Sequence, residues 1–416
     1  MNAFADLGLV PALVGAVTSL GYEAPTPVQA AAIPPILDGQ DVWASARTGS
    51  GKTAAFVLPI LQRLGHAMTD RRTRPLHALV LAPTRELAAQ IADAFTACGK
   101  VLPRLPKIVL AVGGVSINPQ MLALRGGADI VVATPGRLLD LVDQNALHIE
   151  AVETLVLDEA DQLLSLGFAD ELGKVFELVD RRQRLLFSAT FPPAVRALVD
   201  QVLLEPVAID VDAELSLAER SIHQRTIAVD PPRRAMLLQH LIASEGWTRV
   251  LVFVASRYAA KHIVDKLKGR GVGATAFHGD MSQGARTQAL ADFKASRVQV
   301  LIATDIAARG LDITGLPAVV SFDLPRSPTD YVHRIGRTGR AGETGLAVAF
   351  VSADTEAHMR LIEKRHDLVL EREVIPGFEP TMAAPTVDTA GGGIKGKRKS
   401  KKDKLREAAA KAKSES

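Results

Sequence analysis

The chain holds one cysteine, Cys98, in 416 residues. A single thiol excludes an internal disulfide framework and a thiolate zinc site, and it points to a reducing cytoplasm. A membrane span is missing as well. The uncharged run over residues 7–22 has 16 residues, and as a helix it would reach only ~24 Å across a ~30 Å hydrocarbon core. Pro11, three glycines, Thr18 and Ser19 interrupt it, and Asp6 stands where a secretory leader carries Lys or Arg. The expectation is a soluble protein. With no heptad pattern and no broad amphipathic face, a monomer is expected. Positive charge is scarce until the end. Residues 391–416 carry ten Lys/Arg against three Asp/Glu, which leaves the first 390 residues at about −4 of a net +3. Within the body, a polyanion must therefore meet local patches.

What is present is ordinary globular material, 47% hydrophobic and 23% charged, at a length suited to two or three domains. Its centre is Leu155-Val156-Leu157-Asp158-Glu159-Ala160-Asp161. Branched apolar residues followed at once by acids read as a buried parallel strand with carboxylates at its carboxyl end, where open α/β sheets bind ligands. An acid there can hold Mg²⁺ against a nucleotide, and its neighbour can align or deprotonate a water. An acidic helix start after a core strand would look the same.

The partner for that pair lies about 105 residues upstream. Residues 41–45 read as a short strand and Ala46-Arg47-Thr48-Gly49-Ser50-Gly51-Lys52-Thr53 as the turn into a helix. Small residues let backbone N–H groups curl around a phosphate at the positive end of a helix. Lys52 then reaches the β/γ-phosphates, and the Thr53 hydroxyl is placed for Mg²⁺. Ala46 stands where the common G-x-x-x-x-G-K-[ST] pattern has its first glycine. Before this turn, Leu9, Leu13, Val17 and Leu20 form one helical stripe, and two prolines stiffen Gly21-Tyr22-Glu23-Ala24-Pro25-Thr26-Pro27-Val28-Gln29. The Gln29 amide both donates and accepts, as an adenine edge requires, although a glutamine on a helix surface is the commoner case.

Further strands end in similar material. Residues 78–82 run into Pro83-Thr84-Arg85-Glu86-Leu87, and residues 130–133 into Thr134-Pro135-Gly136-Arg137. Thr hydroxyls, arginines and backbone N–H groups at such ends suit sugar–phosphate contacts, and the same Thr and Pro serve as helix N-caps. Gly113-Gly114 permits close backbone approach. Residues 185–190 form a strand ending in Ser188 and Thr190, similar in pattern to a γ-phosphate sensor. Strands alternating with helices over residues 40–207 imply a parallel sheet.

A second unit of similar architecture starts near Ile222, with strands expected over 250–254, 273–277, 298–302, 318–322 and 345–350. It has no Gly-Lys-Thr. It presents arginines instead, in Arg309-Gly310-Leu311-Asp312 and in His333-Arg334-Ile335-Gly336-Arg337-Thr338-Gly339-Arg340. Glycines between arginines are poor helix formers and suit insertion of a guanidinium into a phosphate site. Such a unit would complete a site across a cleft. We therefore place a first domain at 1–208, a linker at 209–221, a second domain at 222–375 and a disordered basic tail at 376–416.

Together these motifs resemble the DEAD-box ATP-dependent RNA helicases, from Phe4 to about Pro380. Val252 to Ser256, Gln283 with Arg286, and Thr304 through Asp312 belong to the same resemblance, and the family has alanine at the position of Ala46. Ile375-Pro376-Gly377-Phe378-Glu379-Pro380 and the basic tail are similar to the bacterial RhlE-like subgroup. The resemblance implies two tandem RecA-like domains, ATP and Mg²⁺ as cofactors, and RNA as the partner. It further implies that Gln29 reads adenine with help from Tyr22 and Phe4. Thr48, Gly49, Ser50, Gly51, Lys52 and Thr53 would hold the phosphates and Mg²⁺. Asp158 would bind Mg²⁺ through water and Glu159 would position the attacking water. Ser188, Thr190 and His333 would link hydrolysis to closure. Gly310 and Asp312 would touch the nucleotide from the second domain, with Arg337 and Arg340 as arginine fingers. RNA contacts would fall to Thr84, Arg85, Gly114, Thr134, Gly136, Arg137, Arg257, Gln283, Arg286 and Thr304. The implied activity is RNA-stimulated ATP hydrolysis that locally separates short duplexes. An ATP-gated RNA clamp or assembly scaffold shares every motif, and a DNA translocase is a third reading. No separate RNA-recognition domain is expected after residue 380, so targeting would come from the tail or from protein partners in RNA processing or decay.

Overall fold

The structure, a computed structural model, describes residues 3–46, 49–67, 74–150, 152–179, 182–211, 222–308, 311, 313, 316–339 and 345–382. Two seven-stranded sheets organise them. The first contains β1 (Val42–Ser45), β2 (Ala78–Leu81), β3 (Ile108–Ala111), β4 (Ile130–Ala133), β5 (Thr154–Leu157), β6 (Gln183–Ser188) and β7 (Val207–Asp210), in the spatial order β3-β4-β2-β5-β6-β1-β7. The second contains β8 (Ile222–Ala228), β9 (Val250–Val254), β10 (Ala274–Phe277), β11 (Val300–Thr304), β12 (Ala318–Ser321), β13 (Gly345–Val351) and β14 (Arg372–Glu373), in the order β10-β11-β9-β12-β13-β8-β14. Renumbered from its own first strand, the second order repeats the first. All the recorded pairings are parallel, with registers such as Val156 opposite Leu185 and Val252 opposite Val320.

Continuous apolar runs produce strands buried on both faces, as in β2, β4, β5 and β9. Alternate residues of one strand serve opposite cores. Val156, Leu185 and Phe187 pack on one side of the first sheet with Phe56 and Phe95, while Leu155, Leu157 and Leu186 pack on the other with Leu138 and Leu172. Helices therefore cover both faces, and the carboxyl ends of the strands are left to bear the site.

Several boundaries differ from the sequence reading. The first sheet gains β7 beside β1, and Val211 N–H still bonds the Ser45 carbonyl at 3.1 Å, so this sheet runs past residue 208. Strand β11 starts at Val300 instead of 298. Arg297 N–H closes the preceding helix onto the Asp292 carbonyl at 2.9 Å, and Ser296 takes a φ of 57°. At the other end the compact unit extends to Pro380. Phe378 packs on the core of the second sheet, with the Arg233 guanidinium 5.3 Å and the His240 ring 5.5 Å from its ring centroid. Residues 376–380 thus belong to the fold, whereas residues 383–416 lie outside the described residues. Near the start the helix closes at Ser19, which leaves Leu20 49% exposed and outside the expected stripe. No helix among the described residues is long and apolar enough to cross a membrane.

Candidate functional site

The chain leaves β1 at Ser45 and enters a helix at Lys52–Ala67. Gly49 and Gly51 take φ values of 79° and 93° in the turn, a left-handed region that glycine reaches without strain. A Cβ on Gly51 would stand 2.3 Å from Gln29 Nε2, so close approach forbids a side chain as well. Gln29 is fully buried. Its Nε2 donates to the Gly51 carbonyl at 3.1 Å and its Oε1 accepts the Thr26 N–H at 3.0 Å. The amide thus ties the upstream segment to the glycine turn, and each of its polar atoms keeps capacity for one more bond. Lys52 is buried and donates through Nζ to the Ala46 carbonyl. Ser50 and Thr53 are half-buried at the same turn, and Tyr22 is 39% exposed. Phe4 is wholly buried in the first core. Thr48 lies outside the described residues.

Asp158 and Glu159 follow β5 and are 2% and 5% exposed. Asp158 N–H continues the ladder to the Leu81 carbonyl at 3.0 Å. Glu159 then turns left-handed, at φ 50°, with its N–H on Asp158 Oδ1 at 2.9 Å. Burial pushes both carboxyls above their ordinary range. The Asp158 charge raises Glu159 further, while Lys52 pulls Asp158 down and Arg337 and Lys52 pull Glu159 down. Asp161 gathers the end of β6. The Thr190 hydroxyl donates to its Oδ2 at 2.6 Å, its own N–H reaches Ser188 Oγ at 3.3 Å, and the Ser188 hydroxyl donates to the Thr190 carbonyl at 2.7 Å.

The second unit meets this network directly. His333, on the helix Pro328–Ile335, places Nε2 3.5 Å from Asp161 Oδ2 and Nδ1 3.1 Å from Gln162 Nε2. Burial holds the His333 imidazole below its ordinary value against the pull of Asp161, so the neutral ring is favoured. A small space lies between Glu159, Gln162, Phe253, His333, Arg334 and Arg337. Arg337 is 5% exposed, and its Nη1 bonds the Leu311 carbonyl at 2.5 Å. Gly310, Asp312 and Arg340 lie outside the described residues.

A second, open cleft is lined by Thr84, Arg85, Gly114, Thr134, Gly136 and Arg137 from the first unit and by Arg286 from the second. Thr84 caps its helix, accepting the Leu87 N–H at 3.3 Å, and Thr134 Oγ1 accepts the Gly113 N–H at 3.2 Å. Gly114 takes a φ of 70°, and a Cβ there would meet Arg85 Nη2 at 1.6 Å. Arg137 is already engaged, donating to the Val112 and Val115 carbonyls at 2.8 and 2.9 Å, so it braces the glycine loop. Arg286 pairs with Glu86 at 2.9 Å across the units, and Gln283 bonds both Glu86 and Arg85, at 3.4 and 3.3 Å. Arg257 and Thr304 do not line this cleft; Arg257 is exposed and paired with Asp280 at 2.6 Å.

Residues 26–198 match the family DEAD/DEAH box helicase and residues 233–342 match the helicase conserved C-terminal domain. The DEAD-box ATP-dependent RNA helicase CshA of Bacillus cereus is 38% identical over 391 residues, covering 94% of this chain and 71% of that protein. The chain belongs to the DEAD-box ATP-dependent RNA helicases. The ATP-dependent RNA helicase DeaD of Mycobacterium tuberculosis is 40% identical over 377 residues, or 90% of this chain and 65% of that one. Among solved structures, S. cerevisiae Dbp5 bound to RNA and ADP BeF3 is similar at a TM-score of 0.79 and 30% identity, over 90% of this chain and 96% of that chain. The two sheets are the tandem RecA-like domains of the family, and ATP-dependent RNA helicase activity goes with membership.

Four residues of this helicase site were missed as site residues in the sequence reading. Arg334 is 1% exposed, grips Asp305 with two bonds of 2.6 and 2.8 Å, and lies 4.9 Å over the Phe253 ring. Glu86 and Gln162 make the contacts across the units described above. The arginine run and the Thr-Arg-Glu string signalled Arg334 and Glu86. Asp305 lies inside the Thr304–Asp312 run but was not singled out there, and Gln162 carried no signal, because its partner His333 is distant in sequence.

Proposed function

We propose that this chain couples ATP hydrolysis to local separation of short RNA duplexes, through a nucleotide site built on the first unit and completed by the second. Thr53 and Asp158 fit Mg²⁺ held through water and phosphate oxygens. A buried, desolvated acid beside a Lys-Thr turn suits that ion, and no three His, Cys, Asp or Glu among the described residues form a protein-only cage. Bound there, the ion would neutralise phosphate charge. Glu159 accepts a proton from, or orients, the attacking water. Gln29 reads the adenine and Lys52 holds phosphates, with Gly310, Asp312, Arg337 and Arg340 assigned as the nucleotide contacts of the second unit.

One observation carries the reading: Asp161 joins Ser188 and Thr190 of one unit to His333 of the other. A change at the phosphates thereby has a short physical path to the interface that closes on RNA. The RNA contacts go to backbone through Thr84, Arg85, Gly114, Thr134, Gly136, Arg257, Gln283, Arg286 and Thr304, with Arg137 shaping the loop, so little base specificity is expected. Single-turnover unwinding of a short RNA duplex tests this, with Glu159→Gln as control. Equal ATPase stimulation by DNA and RNA would overturn the RNA preference.

A clamp reading is favoured by the Glu86–Arg286 pair and the Gln283 bonds, which bridge the units. A long lifetime on single-stranded RNA together with negligible unwinding would select it. We further place the chain in the RhlE-like subgroup from residues 375–380 and the basic tail. It is read as a cytoplasmic monomer whose protein partners act in RNA processing or decay.

A further inference from the structure

Chain-wide, three tyrosines occur. Tyr331 is 2% exposed and bonded to Gln224 at 2.9 Å, and Tyr22 is 39% exposed. Tyr258 is different: at 77% exposure its ring stands in water on the helix Arg257–Lys268. The inward face of this helix is Ala260, Ile263, Val264 and Leu267, so Tyr258 has no part in the core. One turn on, the exposed His262 lies nearly parallel to it, with 8° between planes and 6.2 Å between centroids. Residues three and four apart share a face, so Arg257 and Lys261 flank the two rings, with Asp265 at the far edge.

The Arg257 end of this helix is tied to the rim of the open cleft. Arg257 Nη1 bonds Asp280 at 2.6 and 2.7 Å, and the neighbouring Gly279 lines the cleft together with Thr84 and Arg286. A strand of RNA leaving the cleft on this side meets an aromatic plane with cations beside it. That combination favours single-stranded bases, because every base has a π-face and stacking is sequence-tolerant.

We propose that Tyr258, extended by His262, is a base-stacking platform for one nucleotide of single-stranded RNA just outside the central cleft, with Lys261 as its phosphate-side cation. The proposal rests on the RNA-helicase reading. It goes beyond that reading by assigning a base contact where the other contacts are to backbone.

The test uses the full chain with a non-hydrolysable ATP analogue and single-stranded RNA of about 12 nucleotides. Each position in turn is made abasic, and affinity is read by fluorescence anisotropy. The wild type should lose about 5- to 100-fold at one position away from the central contacts. Tyr258→Ala should bind intact RNA with that same loss and be indifferent to the abasic site, while Tyr258→Phe should match wild type. RNA-stimulated ATP turnover at saturating RNA should be unchanged in Tyr258→Ala, which also shows that the variant folds. Wild-type affinity of Tyr258→Ala for intact RNA, or undiminished sensitivity to the abasic site, overturns the platform. A protein captured through Tyr258 with RNA binding unaltered overturns it too. Absence of RNA-stimulated turnover in the wild type would instead overturn the helicase reading beneath it.

Discussion

The first strand of each sheet, β1 or β8, leads to a helix whose first residue is a cation, Lys52 in one unit and Arg234 in the other. In the second unit that cation is consumed internally. Arg234 Nη1 donates to Asp323 Oδ1 at 3.0 Å and Nη2 to Ser352 Oγ at 2.6 Å. Asp323 follows β12, the counterpart of β5, and also accepts the Ala255 N–H at 2.9 Å. Ser352 follows β13, the counterpart of β6. In the first unit, Lys52 reaches only a carbonyl of its own turn, and neither Asp158 nor Glu159 forms an ion pair among the described residues. The connecting segments explain the contrast. Glycines between β1 and Lys52 allow a curled row of N–H groups, whereas Asp230-Pro231-Pro232 between β8 and Arg234 removes donors and fixes φ. One topology thus yields a site open to a charged ligand and a crevice sealed by its own salt bridge.

The largest expected effect comes from the open side. Glu159→Gln should lower RNA-stimulated kcat by about 10²- to 10⁴-fold while ATP binding persists. Because burial raises this carboxyl above its ordinary 4.5, the wild-type acidic limb should lie above that value. Glutamate acts as base only when ionised, so a raised pKa means activity is lost earlier on acidification, and Glu159→Gln should lack this limb. Undiminished turnover would remove the role given to Glu159. On the sealed side, Arg234→Ala leaves Asp323 without its cation and should cost about 3 kcal/mol, read by urea denaturation. An unshifted midpoint would mean the crevice is not sealed by that pair. Across the units, His333→Ala should reduce RNA-stimulated turnover about tenfold, a coupling near 1.4 kcal/mol. The smallest effect is expected from the tail. Removing residues 391–416 should weaken RNA affinity and flatten its salt dependence by about 0.7 in log–log slope per lost phosphate contact, with maximal ATPase intact.

Much of this was legible because strand ends announce themselves. The apolar run before Asp158, the glycines before Lys52 and the arginines after His333 each carried their chemistry within a few residues. What stayed hidden is pairing at long range. Nothing beside Phe4 shows that it is buried in the first core, or beside Arg137 that the Val112 and Val115 carbonyls hold it. Arg234 reads as a surface helix start until Asp323 and Ser352 are seen beside it. The added β7 and the Phe378 anchor were missed for a related reason. Short edge strands and single aromatic anchors leave little periodicity to read.

We propose that the open site is half of a site, completed by arginine from the sealed unit. Arg337→Ala in the full chain tests it most directly, by comparing RNA-stimulated kcat with affinity for an ATP analogue. A loss of about 10³-fold in kcat with analogue binding nearly unchanged is expected. Wild-type turnover in Arg337→Ala would contradict it.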